Sequence, residues 1–368
     1  MTSRRRIRVG ILFGGESAEH EVALQSAANI VEAIDSDRYE VILIGVDPAG
    51  RWHLSDARRY LSDAMDPKRI RLSGSARDVT LVPGRGSRLQ PVGEGAEEHP
   101  LDVVFPVLHG PLGEDGCVQG LLRLAHLPFV GAGVLGSAIG MDKDVSKRLL
   151  RDAGIPIARF RAFHREFGSP PAFDDLASDL GLPFFVKPAN MGSSVGVTKV
   201  RTREGFDGAI RRAFDYDRKL VVEEFIEGRE IECAVLGNAQ PSASVPGEVI
   251  ARHDFYSYEA KYLDEEGAEL RIPAELPDET VQRIRDLAIE TFRVLCCEGM
   301  ARVDFFVTTD GEVRVNELNS IPGFTRISMY PKLWEASGVG YPELIDRLLE
   351  LAVERARNEE ALNSSVRL

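Results

Sequence analysis

The chain has 368 residues, 43% hydrophobic and 28% charged, the profile of a soluble globular protein too long for one ordinary core. Its 45 Lys and Arg against 58 Asp and Glu leave a net charge of −13, which argues against a general nucleic-acid or anionic-membrane binder. No apolar run approaches the roughly 18 residues of a membrane span, and four cysteines without Cys-x-x-Cys spacing are expected to be buried thiols of a reducing cytoplasm, with no metal role.

Taken in order, the basic N-terminus leads into a short apolar run at residues 7–13 that breaks at Gly14-Gly15, so it reads as a first strand and not as a signal peptide. A helix follows, with Ser17 as its candidate cap, Glu19 and Glu21 in its first turn, and Val22, Ala27, Ile30, Ala33 and Ile34 inward. Residues 41–46 and 102–108 are further buried strands, which predicts a parallel α/β layer. Between them, residues 73–99 are expected to be surface loops around a short strand at 79–82, and residues 63–99 carry no motif. Gly14-Gly15 lacks the Gly-x-Gly-x-x-Gly spacing of a dinucleotide site. A substrate pocket at the strand ends is the better reading, where Glu19 either meets an ammonium or is a plain helix-start acid. His109 and the acids Glu114 and Asp115 stand in a glycine-dense loop after the third of these strands.

Residues 141–147 open a helix with Val145, Leu149, Leu150 and Ala153 inward, closed by Gly154 and Pro156. Composition changes here, and the expected units are 1–141, 142–228 and 229–368. Lys143 and Lys147 share one helical face, either as exposed lysines or as phosphate contacts. Residues 182–188 form a strand ending in Lys187, with a return at 195–200. The connection, with Gly192, Ser193, Ser194 and Gly196, has the composition of a flap that offers backbone N–H groups to phosphates. No Walker loop occurs. Residues 220–230 are a strand running into an acidic turn suited to reading an adenine amino group and ribose hydroxyls. Aromatic and charged residues at 253–262 suggest a lid that shuts out water.

Residues 299–328 hold the most informative pattern. Two Val- and Phe-rich runs flank Asp310-Gly311, which predicts a hairpin with a two-residue turn. Counting outward pairs Thr309 with Glu312, Asp304 with Glu317 and Arg302 with Asn319, and alternation puts the last four on one face. Two carboxylates facing each other across a strand pair repel unless something compensates. Two acids with an amide oxygen make a hard-cation site, so Asp304, Glu317 and Asn319 are inferred to hold Mg²⁺ on a nucleotide, with Arg302 aimed at the anion. An edge hairpin with a solvated charged face is the alternative. Residues 322–328 continue the wall, 341–355 form a closing amphipathic helix, and the last dozen residues fray.

In this order, flap lysine, Gly-Ser-Ser-Val-Gly flap, acidic hinge, Arg-x-Asp strand and Glu-x-Asn strand resemble the ATP-grasp ligases. Gly-Gly-Glu-Ser-Ala-Glu-His-Glu-Val, His-Gly-Pro-Leu-Gly-Glu-Asp-Gly, Met-Asp-Lys and Tyr-x-Tyr-Glu-Ala-Lys-Tyr narrow this to a resemblance to the D-alanine:D-alanine ligase family, over about residues 9–349. It implies an N-terminal Rossmann-like parallel α/β domain followed by a two-part ATP-grasp fold. Lys143, Lys187, Ser193 and Ser194 would bind the phosphates, and Glu223 with the backbone of Glu224 to Ile226 would read adenine. Glu230 would take the ribose. Glu19, with His109 nearby and Tyr256 on the lid side, would hold the ammonium of a first D-alanine. Lys261, Arg302 and Ser328 would receive the second. Glu19, Ser193 and Tyr262 would form the link that closes the lid. The resemblance further implies ATP with two Mg²⁺ ions or Mn²⁺ in their place, a cytoplasmic homodimer, no nucleic-acid or membrane partner, and a role in peptidoglycan precursor synthesis. Relatives that make D-alanyl-D-lactate typically carry His where this chain has Tyr262, so the dipeptide is the expected product.

Overall fold

The structure is a computed structural model and describes residues 5–55, 61–62, 70–72, 77–84, 86–93, 98–168, 172–251 and 268–362. The expected lid, with Tyr256, Lys261 and Tyr262, lies outside these residues.

Strand Ile7–Gly14 runs parallel to Tyr39–Val46 on one side and to Val103–Val107 on the other. Its apolar run is continuous because both faces are covered: Val9, Ile11 and Phe13 enter one core with helices His20–Ala33 and Tyr341–Glu360, while Leu12 enters another with Leu108 and Leu122. Each fully buried side chain of this kind contributes about 1.5–3 kcal/mol. The outer part of the sheet departs from the sequence reading. Strands Trp52–Ser55, Arg77–Leu81, Arg88–Pro91 and His99–Pro100 extend it antiparallel, and Val79, Leu81 and Leu89 are buried in its second core. The strand expected at 79–82 is present as Arg77–Leu81, but Arg88–Pro91 and His99–Pro100, not expected from the sequence, also belong to the sheet, the turn residues around them hiding the buried anchor Leu89.

A four-stranded antiparallel sheet follows, in the order Phe160–His164, Lys219–Glu224, Phe184–Pro188, Thr198–Val200. Helices Phe173–Leu180 and Arg203–Tyr216 cover one face, and together they enclose a core of their own around Phe184, Phe206 and Leu220. The third sheet includes Ala268–Arg271, Gly247–Ala251, Gly228–Gly237, Gly299–Thr308 and Val313–Asn319. Helix Asp278–Val294 packs with Ile231, Val303 and Phe305, while Ala234, Leu236 and Met300 join Tyr330 and Trp334 of helix Met329–Ala336 in the core of the N-terminal layer. The first and third sheets thus share apolar packing, and the second is packed separately.

Helix Lys143–Asp152 corrects the expected inward face. Asp142 caps it, accepting from the Asp144 and Val145 N–H groups at 3.1 and 3.0 Å, and the buried residues are Asp144, Ser146, Lys147 and Leu150, whereas Val145 is exposed. Cys233 and Cys297 are buried but Cys117 and Cys296 are exposed, so only half of the expected buried thiols are buried. No helix among the described residues is long and apolar enough to cross a membrane.

Candidate active site

The hairpin pairs Arg302 with Asn319 and Asp304 with Glu317, as the pattern predicts, but by another route. The turn is one residue longer than expected: Thr308, not Thr309, meets Glu312, its N–H donating to the Glu312 carbonyl at 3.0 Å. A β-bulge beyond Asp304 then restores the register, because Phe305 pairs with Val315 while Asp304 pairs with Glu317, leaving Asn316 as the extra residue. Without the bulge Glu317 would turn to the core face. The strand shows the phase change in its own sequence: Val313 and Val315 are buried, then Leu318, with Asn316 and Glu317 adjacent and both half-buried.

On this face Arg302 Nε and Nη2 donate to the two Asp304 oxygens at 2.7 Å each, and Asn319 Nδ2 donates to Asp304 Oδ2 at 3.0 Å. Sequence reasoning missed Glu232, which pairs with Asp304 from the adjoining strand and lies 2.9 Å from Arg302 Nε. Its signal was the Glu-x-Glu alternation of Glu230 and Glu232 on a strand whose Ile231 and Cys233 are buried. Among the described residues no three His, Cys, Asp or Glu side chains already converge as a metal cluster. Two facing carboxylates plus an amide nonetheless match the donor set of Mg²⁺, which leaves its remaining positions to water and phosphate.

A cleft of about 260 Å³ opens between this hairpin and the four-stranded sheet, lined by Lys143, Lys187, Ser193, Ser194, Glu223, Glu224, Ile226, Glu230 and Glu317 among others. Lys187 Nζ donates to Glu223 Oε2 at 2.7 Å, and Lys147 Nζ lies 3.2 Å from Glu223 Oε1. Burial opposes charge on Glu223, yet Lys147 and Lys187 outweigh it and hold the carboxyl down to about 2. For Lys187 burial also works downward, but Glu223 and then Glu317 and Glu230 raise its pKa. Lys147 is 2% exposed, which removes the exposed-lysine alternative; its Nζ also donates to the Asn316 carbonyl at 3.1 Å, at the bulge itself. Burial lowers its pKa, with Glu223 opposing. Lys143 Nζ donates to the Met191 carbonyl of the flap at 2.8 Å and lies 3.4 Å from Glu317. The Glu224 side chain instead takes Arg159 Nε at 2.6 Å and Arg314 Nη1 at 3.0 Å, which fastens the hinge strand to its neighbours. Ser193 and Ser194 both have positive φ, 50° and 60°, a left-handed backbone that residues with a side chain seldom adopt, so the flap is held in an uncommon conformation at the cleft.

The flap reaches the N-terminal layer. Ser193 Oγ donates to Glu19 Oε1, joining residues 174 positions apart. Glu19 is 7% exposed and occupies the cap position of helix His20–Ala33, which begins two residues later than a Ser17 cap would have it, without capping it through its side chain. Ser17 is not the cap: its Oγ accepts from the Glu19 N–H at 3.2 Å and donates to the His109 carbonyl at 2.7 Å. His109 Nδ1 donates to the Ile321 carbonyl at 3.0 Å, which leaves Nε2 as an acceptor, buried and without a hydrogen-bond partner among the described residues. Burial lowers the His109 pKa, and the neighbouring Glu19 only partly offsets this. Glu114, also unassigned from sequence, accepts from the Gly110 N–H at 2.8 Å; burial first and Glu19 second push its pKa up. Its Gly-Glu-Asp-Gly setting marked the loop but not the residue. Ser328 stands at the start of helix Met329–Ala336, its Oγ held by the Thr325 N–H and hydroxyl at 2.9 and 2.8 Å.

With this geometry in hand, comparison with known proteins is specific. Residues 8–132 match the family model "D-ala D-ala ligase N-terminus" and residues 149–350 match "D-ala D-ala ligase C-terminus". The D-alanine–D-alanine ligase A of Chromobacterium violaceum is 57% identical over 364 residues, 98% of this chain and 99% of that protein. The solved D-alanine-D-alanine ligase of Coxiella burnetii superposes with a TM-score of 0.85 at 41% identity, covering 97% of each chain. The VanG D-Ala:D-Ser ligase of Enterococcus faecalis gives 0.82 at 33% identity, covering 95% of this chain and all of the other. The three larger sheets are thus an N-terminal α/β layer with an ATP-grasp pair, and the chain belongs to the D-alanine–D-alanine ligase family.

Proposed function

We propose that the chain uses ATP to join two D-alanine molecules into D-alanyl-D-alanine through a D-alanyl phosphate, releasing ADP and phosphate for peptidoglycan precursor synthesis. The observation that carries this reading is the meeting of the phosphate flap with an amino-acid end: Ser193 on Glu19, in a cleft lined by Lys187 and the carboxylate hairpin. Lys143, Lys187 and the flap N–H groups near Ser193 and Ser194 hold the phosphates. Glu223 and the backbone from Glu224 to Ile226 read adenine, and Glu230 takes the ribose. Lys147 keeps Glu223 ionised and in place.

The ammonium of the first D-alanine sits between the Glu19 carboxylate and the His109 Nε2 lone pair, which a buried neutral imidazole can offer. Its carboxylate attacks the γ-phosphorus, and the P–O bond to ADP breaks. The neutral amine of the second D-alanine, received by Ser328 and Lys261, attacks the acyl carbon, and the tetrahedral intermediate expels phosphate, the proton lost from nitrogen leaving in the net reaction as hydrogen phosphate. Arg302, oriented by Asp304 and Glu232, stabilises the oxyanion. Asp304, Glu317 and Asn319 would hold Mg²⁺, which when bound offsets charge on the transferred phosphoryl group; Mn²⁺ fits the same oxygen donors, and two ions suit two carboxylates facing a triphosphate. Tyr256 and Tyr262, which lie outside the described residues, take on the same reading the roles of excluding water and, for Tyr262, of joining Glu19 and Ser193 during turnover. No side chain needs to become a covalent nucleophile. The units 1–141, 142–228 and 229–368 divide the work into amino-acid binding, phosphate binding and metal holding, in a cytoplasmic homodimer.

Phosphate release on mixing the protein with MgATP and D-alanine, with L-alanine as control, tests this. D-alanine alone is expected to support release, with the dipeptide accumulating in equal amount. Equal release with L-alanine, or release without dipeptide, would refute it.

A further inference from the structure

We infer that Ser26 and Asn29, on helix His20–Ala33, are positioning residues for the second amino acid, because they fix the loop that carries Ser328. The inference rests on the ligase reading above and adds what sets the distance between its two amino-acid subsites.

The loop is fastened to the N-terminal layer at both ends of residues 321–324. The Ile321 carbonyl accepts from His109 Nδ1 at 3.0 Å. The Phe324 N–H donates to Ser26 Oγ at 3.1 Å, and the Phe324 carbonyl accepts from Asn29 Nδ2 at 3.1 Å and from Tyr341 Oη at 2.8 Å. Phe324 is 0% exposed, with its ring edge-on to Phe105 at 5.5 Å, so apolar packing keeps this anchor from sliding. From it the position passes along the chain to Thr325, whose N–H and hydroxyl hold Ser328 Oγ. Gly323 lies so close beneath that a Cβ there would come within 2.7 Å of Ser328 Oγ.

The helix that anchors Phe324 is the one Glu19 begins. Ser26 and Asn29 are three residues apart on one helical face, and Glu19 is the cap residue from which that helix starts. A rigid rod, and not a flexible connection, therefore joins the acid proposed for the first ammonium to the loop proposed for the second amino acid. A displacement of about 1 Å between reacting groups can cost roughly 100-fold in rate, so this anchoring is where the acceptor's placement is set.

The test is steady-state kinetics that resolves donor and acceptor D-alanine, together with amide hydrogen exchange. Asn29→Asp keeps shape and removes the donor, Asn29→Asp with Tyr341→Phe strips both donors from the Phe324 carbonyl, and Ser26→Ala is an independent arm. The acceptor KM is expected to rise about 3- to 10-fold for Asn29→Asp and further for the double variant, a change on the scale of one or two neutral hydrogen bonds. Donor and ATP KM stay within about twofold of wild type on the same argument, since neither subsite loses a bond. Exchange at residues 325–328 speeds up while that of residues 20–33 does not. Constants that all move together, or no change in either the acceptor KM or the exchange at 325–328, would overturn the assignment with the ligase reading intact. A wild-type chain releasing no phosphate with D-alanine would overturn that reading and this assignment with it.

Discussion

Lys147→Met removes an ammonium that lies 3.2 Å from Glu223 Oε1 and donates to the Asn316 carbonyl at 3.1 Å, at a position only 2% exposed. Deleting one partner of a buried ion pair costs about 3–5 kcal/mol, because the other charge is left without compensation. Lys187 remains 2.7 Å from the second Glu223 oxygen, so the lower end, about 3 kcal/mol of folding stability, is expected. The nucleotide loses more than stability. Glu223 is free to leave the geometry proposed for reading adenine, and the bulge carbonyl of Asn316, next to Glu317, loses its donor. One charge-assisted hydrogen bond is worth about 1.5–3 kcal/mol, which corresponds to roughly 10- to 100-fold in ATP KM. Initial rates of phosphate release with ATP varied at saturating D-alanine measure it, and circular dichroism confirms that the variant is folded. An ATP KM within twofold of wild type in a folded Lys147→Met protein would show that the lysine is a core residue without influence on the nucleotide.

Two further outcomes follow from the same site. Glu317→Gln is expected to abolish turnover while circular dichroism stays that of wild type, and a wild-type rate in this variant would remove Glu317 from the metal role. Glu223 has its folded pKa depressed from 4.5 to about 2. The stability it contributes is therefore fully present above pH about 4.5 and lost as pH falls toward about 2, on the order of 3 kcal/mol over that window. In urea unfolding between pH 6 and roughly 3, the stability difference between wild type and Glu223→Gln should shrink as pH falls. A pH-independent difference would contradict the assigned ionisation.

Much of the fold was legible because its strongest signals are local. The buried parallel strands read as unbroken apolar runs, and the hairpin announced itself at Asp310-Gly311. Its facing acids were placed by two errors of one residue that cancel: a longer turn and a bulge at Asn316, neither of which simple outward counting contains. The step from Val315 to Leu318 carried the correction, since two apolar residues three apart break the period of a strand. Lys147 was harder. A lysine at helical spacing from Lys143 says nothing of burial, which here is decided by Glu223 and Asn316, 76 and 169 positions away. The same holds for Glu232 and Glu114, whose partners come from other strands and loops. Of the sheet extension at residues 77–100 only the strand around Val79 and Leu81 was read; Leu89 is a lone apolar anchor among turn residues, so only tertiary packing makes a strand of Arg88–Pro91.

The separate packing of the four-stranded sheet has a mechanical consequence. The N-terminal layer and the hairpin sheet share one apolar core, whereas the flap sheet, with a core of its own, meets the hairpin sheet across the charged contact of Glu224 with Arg314. Opening an oily seam would expose surface that water resists, but ionic groups can trade partners for solvent at small net cost. The molecule is therefore built like a jaw with one fixed and one swinging half. The salt concentration of the medium, more than temperature, is the control that should set how easily it gapes.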